Sequence, residues 1–181
     1  MRNSWMLAIT LTVACGGPST AMSTGDQKMI ESGGKGADAA AAYGPLTVGA
    51  DWSTYAKVNR APFPSPTHGD RMVDVYVTPA ALAAYKNADA EISVGTILVK
   101  TSKQKDGGEG PIFVMEKRAP GFAPDHGDWY FAMHWAEPTE AWKKKLGGPV
   151  YWRSPSPRVE YCSDCHDGYD RGIGGVPTEA L

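Results

Sequence analysis

The sequence has few cysteines, no excess of charge of either sign and no apolar segment long enough to cross a bilayer. Three cysteines in 181 residues exclude a fold held together by several disulfides. Lysine and arginine number 18 against 20 aspartates and glutamates, so the basic excess typical of nucleic-acid binding is missing. The apolar run from Trp5 to Ala14 is too short to span a membrane.

That apolar run, preceded by the single charge of Arg2, has the form of a signal peptide at residues 1–14. Small residues precede Cys15 and two glycines follow it, as in a bacterial lipobox. We therefore expect a periplasmic protein that is lipidated at Cys15 and anchored in the membrane through this N-terminal lipid. The alternative is ordinary signal cleavage, for example after Ala21.

Residues 15–50 consist mainly of Gly, Ala, Ser and Thr, including the run Ala39–Ala42. Such a composition buries too little apolar surface to offset the entropy lost on ordering. We expect a flexible tether here, followed by one folded domain at residues 51–181.

Apolar residues alternate with a period of two in four segments of this domain, at 72–78, 95–101, 111–118 and 128–135. This spacing predicts β-strands. The loop at 105–110, with three glycines, predicts a hairpin between the second and third strands. In the last strand one face carries Trp129, Phe131, Met133 and Trp135. That face is expected to be buried in the core or in a dimer interface.

The segments whose sequence predicts a helix are short. Thr78-Pro79 precedes a run of strong helix formers that ends at Lys86, and Glu140–Leu146 is closed by two glycines. Residues 51–59 and 159–167 are further candidates. The sequence thus predicts an α+β fold, mainly β, with an antiparallel sheet, a few short helices and a cysteine–histidine motif near its C-terminus.

That motif is Cys162-Ser163-Asp164-Cys165-His166, and C-x-x-C-H is the attachment sequence of haem c. Each thiol adds to a haem vinyl group and the histidine becomes an axial iron ligand. The alternatives are a disulfide, half of a zinc site or a thioredoxin-like redox pair. A zinc site requires a second ligand pair, and the sequence has no second C-x-x-C and no H-x3-5-H. We expect one covalent haem c per chain.

Ordinary cytochromes c are helical and carry this motif near their start, and the four-helix c-prime cytochromes need long helices. Over Trp52–Gly175 the chain instead resembles the cytochrome P-460 family and its relatives, the c-prime-beta cytochromes. Besides the haem motif, the resemblance rests on Trp52, His68-Gly69-Asp70-Arg71, Gly95-Thr96-Ile97-Leu98-Val99-Lys100, Pro120-Gly121-Phe122 and Gly127-Asp128-Trp129-Tyr130-Phe131. It implies a sheet-based homodimer.

The resemblance also implies functional residues. A lysine bonded to the porphyrin edge is a feature of P-460 cytochromes, and Lys100 matches its place; the alternative is a solvated strand lysine. Hydroxylamine-oxidising members have an acidic residue in the distal pocket. In this chain Phe113 occupies the matching strand, and Glu116, three residues later, is the candidate. Arg71 is a candidate for binding a haem propionate or an anion, with an exposed strand end as the alternative.

Three functions follow from these expectations. The first is oxidation of hydroxylamine, with nitric oxide reacting onward, and electron transfer to a periplasmic acceptor protein. The second is non-catalytic nitric oxide binding, and the third is simple electron transfer. The sixth iron ligand separates them, because a Met or His ligand indicates an electron carrier and an open iron indicates small-ligand chemistry. The candidate ligands are Met72, Met115, Met133, His68 and His134, each of which also fits a purely structural role.

Overall fold

Seven strands form one antiparallel sheet in the computed structural model, which describes residues 38–181. The strands are β1 (Ala56–Lys57), β2 (Phe63–Ser65), β3 (Arg71–Val77), β4 (Ile97–Lys103), β5 (Ile112–Lys117), β6 (Trp129–Trp135) and β7 (Val150–Arg153). From β3 to β7 they follow chain order, and β1 and β2 pair with the free edge of β3. The predicted mainly antiparallel fold class is confirmed. The predicted signal peptide and the predicted lipidation site, Cys15, lie outside the described residues.

The helices are short, as predicted. They are α1 (Leu82–Lys86), α2 (Glu140–Leu146) and α3 (Glu160–His166). Single 3-10 turns lead into α1 and α3, and Gly147 ends α2 in the left-handed conformation. The helix expected at 51–59 is reduced to the 3-10 turn Trp52–Thr54, followed by β1. Within residues 38–181, no helix combines the length and the apolar character needed to cross a membrane.

The strand register aligns two rows of side chains on one face of the sheet. Lys100 pairs with Phe113, and Phe113 pairs with Met133. One step along the strands, Leu98 pairs with Met115, and Met115 pairs with Phe131. We call this the inner face, defined by Leu98, Lys100, Phe113, Met115, Phe131 and Met133. The predicted face of β6 belongs to it and is buried within the single chain: Trp129, Phe131, Met133 and Trp135 are all at most 4% exposed.

The opposite, outer face carries a second core of Val99, Val114, Tyr130, Ala132 and Tyr151. Side chains of the segment that precedes β1 pack against it, including Leu46 and Val48. The Thr47 backbone N–H donates to the Tyr151 hydroxyl at 3.1 Å. Residues 38–50, which we expected in the tether, therefore lie on the sheet. Two apolar side chains and a few hydrogen bonds hold them there, despite the small-residue composition.

Candidate haem site

The inner face and α3 enclose a cavity of about 920 Å³, including its opening to solvent. Much of the wall is apolar, formed by residues such as Val75, Leu98, Phe113, Met115, Phe131 and Ile173. Its polar lining side chains are Thr67, His68, Arg71, Tyr85, Lys100, Tyr161 and His166, together with the two motif cysteines.

Helix α3 presents the C-x-x-C-H motif to this cavity. Cys162, Cys165 and His166 lie within one turn, because residues three and four apart share a helix face. All three line the cavity, and no disulfide joins the two cysteines. Burial raises the pKa of the Cys162 thiol to about 12, so this thiol is protonated at neutral pH.

One imidazole nitrogen of His166 is fixed by the backbone. Its Nδ1 donates to the Gly172 carbonyl at 2.7 Å, which leaves Nε2 as the nitrogen available to a metal. Burial lowers the pKa of His166, and a neutral imidazole is the form that binds metals. The ring also packs against Phe131, with centroids 5.4 Å apart.

The turn after α3 fixes the Gly172 carbonyl. Gly172 has φ +68°, and a Cβ at this position would collide with the Trp129 indole. The indole Nε1 of Trp129 donates to the Arg171 carbonyl at 3.2 Å. A glycine is therefore required where the chain passes over Trp129, and this packing fixes the partner of His166 Nδ1.

Lys100 lies in the middle of β4, with its side chain partly buried in the cavity wall. Burial lowers its pKa from 10.5 to about 8. Its Nζ lies 3.4 Å from both ring nitrogens of His68, so it cannot point straight at either of them. A large fraction of this amine is neutral near pH 8, and neutral amines are the nucleophilic form of lysine.

Arg71 is buried at 4% exposure, unlike an exposed strand end. Its guanidinium lies 5.7 Å from the ring centre of Trp135 and 5.4 Å from that of Trp142. Its Nη1 donates to the His68 carbonyl at 2.6 Å. A permanent positive charge thus lines the cavity on the same side as His68.

Glu116 is not brought to this site. In β5 the side chains of Phe113 and Met115 line the cavity, and Glu116 is one residue out of phase with them. Its carboxylate forms an ion pair with Arg118 at 2.6 Å. The strand period thus separates this carboxylate from Lys100 and the haem motif.

Three of the five candidate sixth ligands line the cavity: His68, Met115 and Met133. Met133 is fully buried, and its sulfur accepts a hydrogen bond from the Tyr161 hydroxyl at 3.4 Å. Met72 is 41% exposed, and His134, on the outer face, forms a hydrogen bond with the Gly44 carbonyl at 3.1 Å. Sequence reasoning gave His68 no special weight, because the 3-10 turn that directs it inward leaves no periodic signal.

The sequence matches no protein-family model and no curated protein. Among residues 38–181, no three His, Cys, Asp or Glu side chains are grouped so that they could hold a metal ion by themselves. A haem iron needs fewer protein ligands than such a metal ion, because the porphyrin supplies four ligands and the chain supplies one or two. The site is therefore interpreted from its own geometry.

Proposed function

We propose that the protein binds one haem c through Cys162 and Cys165, with His166 as the iron ligand, and that it is a hydroxylamine-oxidising cytochrome. The observation that carries the proposal is the position of the C-x-x-C-H helix, which opens onto an apolar cavity that also contains Lys100. The electrons pass to an acceptor protein in the periplasm. The protein is anchored through a lipid at Cys15 and acts as a homodimer.

The residues fit the cofactor in three respects. Both motif cysteines line the cavity, one of them as a buried protonated thiol. His166 keeps one nitrogen for the iron, because the Gly172 carbonyl accepts a hydrogen bond from the other. The lining is sufficiently apolar to bury a macrocycle, and its polar groups are few and specific.

When bound, haem supplies the redox centre and the site for a small nitrogenous ligand. The chain supplies the surroundings. Lys100 offers an amine of lowered pKa for a bond to the porphyrin edge, and Arg71 offers a buried positive charge for a propionate or another anion. Phe113 and Met115 restrict water in the cavity.

Non-catalytic nitric oxide binding is the second candidate. It is favoured by the position of Glu116, whose carboxylate forms an ion pair with Arg118 outside the cavity. An apolar pocket that binds a neutral gas needs no proton acceptor, whereas hydroxylamine must lose protons as it is oxidised. The electron-carrier alternative would require His68, Met115 or Met133 as a sixth ligand.

Mass spectrometry of the mature protein tests both the covalent attachment of haem and the bond between Lys100 and the porphyrin. We expect one covalent haem, lost in the variant carrying Cys162→Ser and Cys165→Ala. A tryptic digest should yield one haem peptide that joins the α3 segment to the Lys100 segment, and Lys100→Leu should separate them while keeping the haem. Lys103→Leu, in the same strand and with an exposed side chain, is the matched control.

The optical spectrum separates the three functions. A five-coordinate, high-spin resting iron with a red-shifted ferrous main band supports the proposed enzyme. High-spin haem with a free Lys100 peptide would support nitric oxide binding instead. A low-spin spectrum with a sulfur-to-iron charge-transfer band would indicate an electron carrier, and a mature protein without covalent haem would refute all three.

A further inference from the structure

We propose that His68 is the proton acceptor for ligands that bind in the cavity, a role that rests on the proposed haem function. The side chain lies in the 3-10 turn Pro66–His68 between β2 and β3, and it lines the same cavity as His166 and Lys100. Its ring stands edge-on to Phe113, with centroids 4.7 Å apart.

The two cavity histidines contact the inner face at different levels. His166 packs on Phe131, which pairs with Met115, whereas His68 packs on Phe113, two residues before Met115 in β5. Two residues along a strand correspond to about 7 Å. Helix α3 thus provides one imidazole, and the second contacts the sheet two residues further along β5.

Hydrogen bonds hold the His68 ring in a defined orientation. Its Nδ1 lies 2.9 Å from the Ser65 hydroxyl and 3.2 Å from the Thr67 hydroxyl. The Arg71 guanidinium holds the main chain of the same residue through its carbonyl. Nδ1 has two hydroxyl partners, whereas Nε2 lies 3.4 Å from the Lys100 Nζ and is the nitrogen that can exchange a proton with a ligand.

The charges around His68 keep it neutral. Burial is the largest cause of its lowered pKa, and Lys100, His166 and Arg71 act in the same direction whenever they are charged. At physiological pH the imidazole is therefore neutral and can accept a proton, but its lowered pKa makes it a weak base until an anion lies beside it. An anion formed beside it offsets these positive charges and stabilises the resulting imidazolium.

Hydrogen cyanide is a probe for this proton transfer, because it reaches the site as a neutral acid and binds ferric haem as its anion. On cyanide binding the H–C bond would break, its proton would move to Nε2 of His68, and the remaining cyanide anion would be the ligand that the haem takes up, with no electron transferred. Carbon monoxide binds ferrous haem without releasing a proton. The two ligands therefore separate proton acceptance from access to the cavity.

The test compares His68→Gln and His68→Leu with the wild-type protein, all loaded with haem, by stopped-flow absorbance at pH 7. We expect cyanide association to fall by about 100-fold or more in both variants, as for the loss of a general base, with little change in carbon monoxide association. His134→Gln is the matched control, since this histidine lies on the outer face. It should leave both rates unchanged.

Unchanged cyanide association in both His68 variants would overturn the proposal, and so would an equal fall in both ligand rates, which would indicate a damaged cavity. A low-spin wild-type protein that becomes high-spin in both variants would also overturn it, because His68 would then be an iron ligand. In the first two cases the haem is present and only the role of His68 fails. In the third case His68 is the sixth iron ligand, which indicates an electron carrier and overturns the proposed enzyme as well. A wild-type protein without covalent haem would refute the proposed function as well.

Discussion

Replacing Lys100 by methionine should stabilise the haem-free protein at neutral pH. The amine is partly buried in an apolar wall, and this burial lowers its pKa from 10.5 to about 8. Below pH 8 the folded state holds an ammonium ion in an environment that disfavours charge. Methionine has a similar length, carries no charge and fills irregular apolar space.

The pKa difference determines both the size of the effect and its pH window. A lowering from 10.5 to about 8 corresponds to about 3 kcal/mol of destabilisation while the lysine is charged. Between pH 8 and 10.5 the unfolded chain binds more protons than the folded one, so wild-type stability rises with pH. The advantage of Lys100→Met should therefore be complete at pH 7 and vanish towards pH 10.5.

Urea unfolding at several pH values between 6 and 10.5 measures this difference. The protein is produced without residues 1–14, the proposed signal peptide, so that the proposed export and haem attachment do not take place. Lys103→Met is the control in the same strand, because the Lys103 amine is exposed and pairs with Glu109 at 2.7 Å. It should leave the urea midpoint nearly unchanged at every pH. A Lys100→Met protein that is less stable than wild type at pH 7, or equally shifted at every pH, would refute the burial of this charge.

Two further predictions concern the supports of the site. Gly172→Ala should destabilise the protein by about 1 to 3 kcal/mol in urea unfolding, because the added methyl group meets the Trp129 indole at a residue with φ +68°, whereas Gly175→Ala, with open space around it, should be neutral. A chain that begins at Asp51 should be less stable than one that begins at Asp38 by about 2 kcal/mol or more, because Leu46 and Val48 no longer cover the outer face. Equal urea midpoints within either pair would contradict the corresponding reasoning.

The sheet was predictable because its strands are amphipathic or doubly buried over six or seven residues. The segments predicted at 72–78 and 128–135 differ by one residue from β3 and β6. Strands β1 and β2, with two and three residues, are too short to show a period. Strand β7 has four residues, three of them buried, so its sequence does not alternate.

Residues of the candidate cavity were predictable from the sequence where a contiguous motif or a strand period identifies them. They were not predictable where only tertiary contacts bring them to the cavity. Cys162, Cys165 and His166 form a contiguous motif, and Lys100 falls on the inner face through the two-residue period. Glu116 does not reach the cavity for the same reason, because a residue three positions after Phe113 in a strand lies on the opposite face of the sheet. His68 enters the cavity only through the turn that joins β2 to β3, and no local pattern indicates this.

The charges of the cavity wall bear on the choice among the three functions. Arg71 brings a permanent positive charge to the wall, Lys100 lies 3.4 Å from the His68 ring nitrogens, and burial keeps His68 neutral. These groups would contribute little to the binding of a sixth iron ligand from the protein, and little to the binding of a neutral gas. A ligand that loses a proton on binding gains both a base and a compensating positive charge. This arrangement favours chemistry on a protonated nitrogen substrate over gas storage or plain electron transfer.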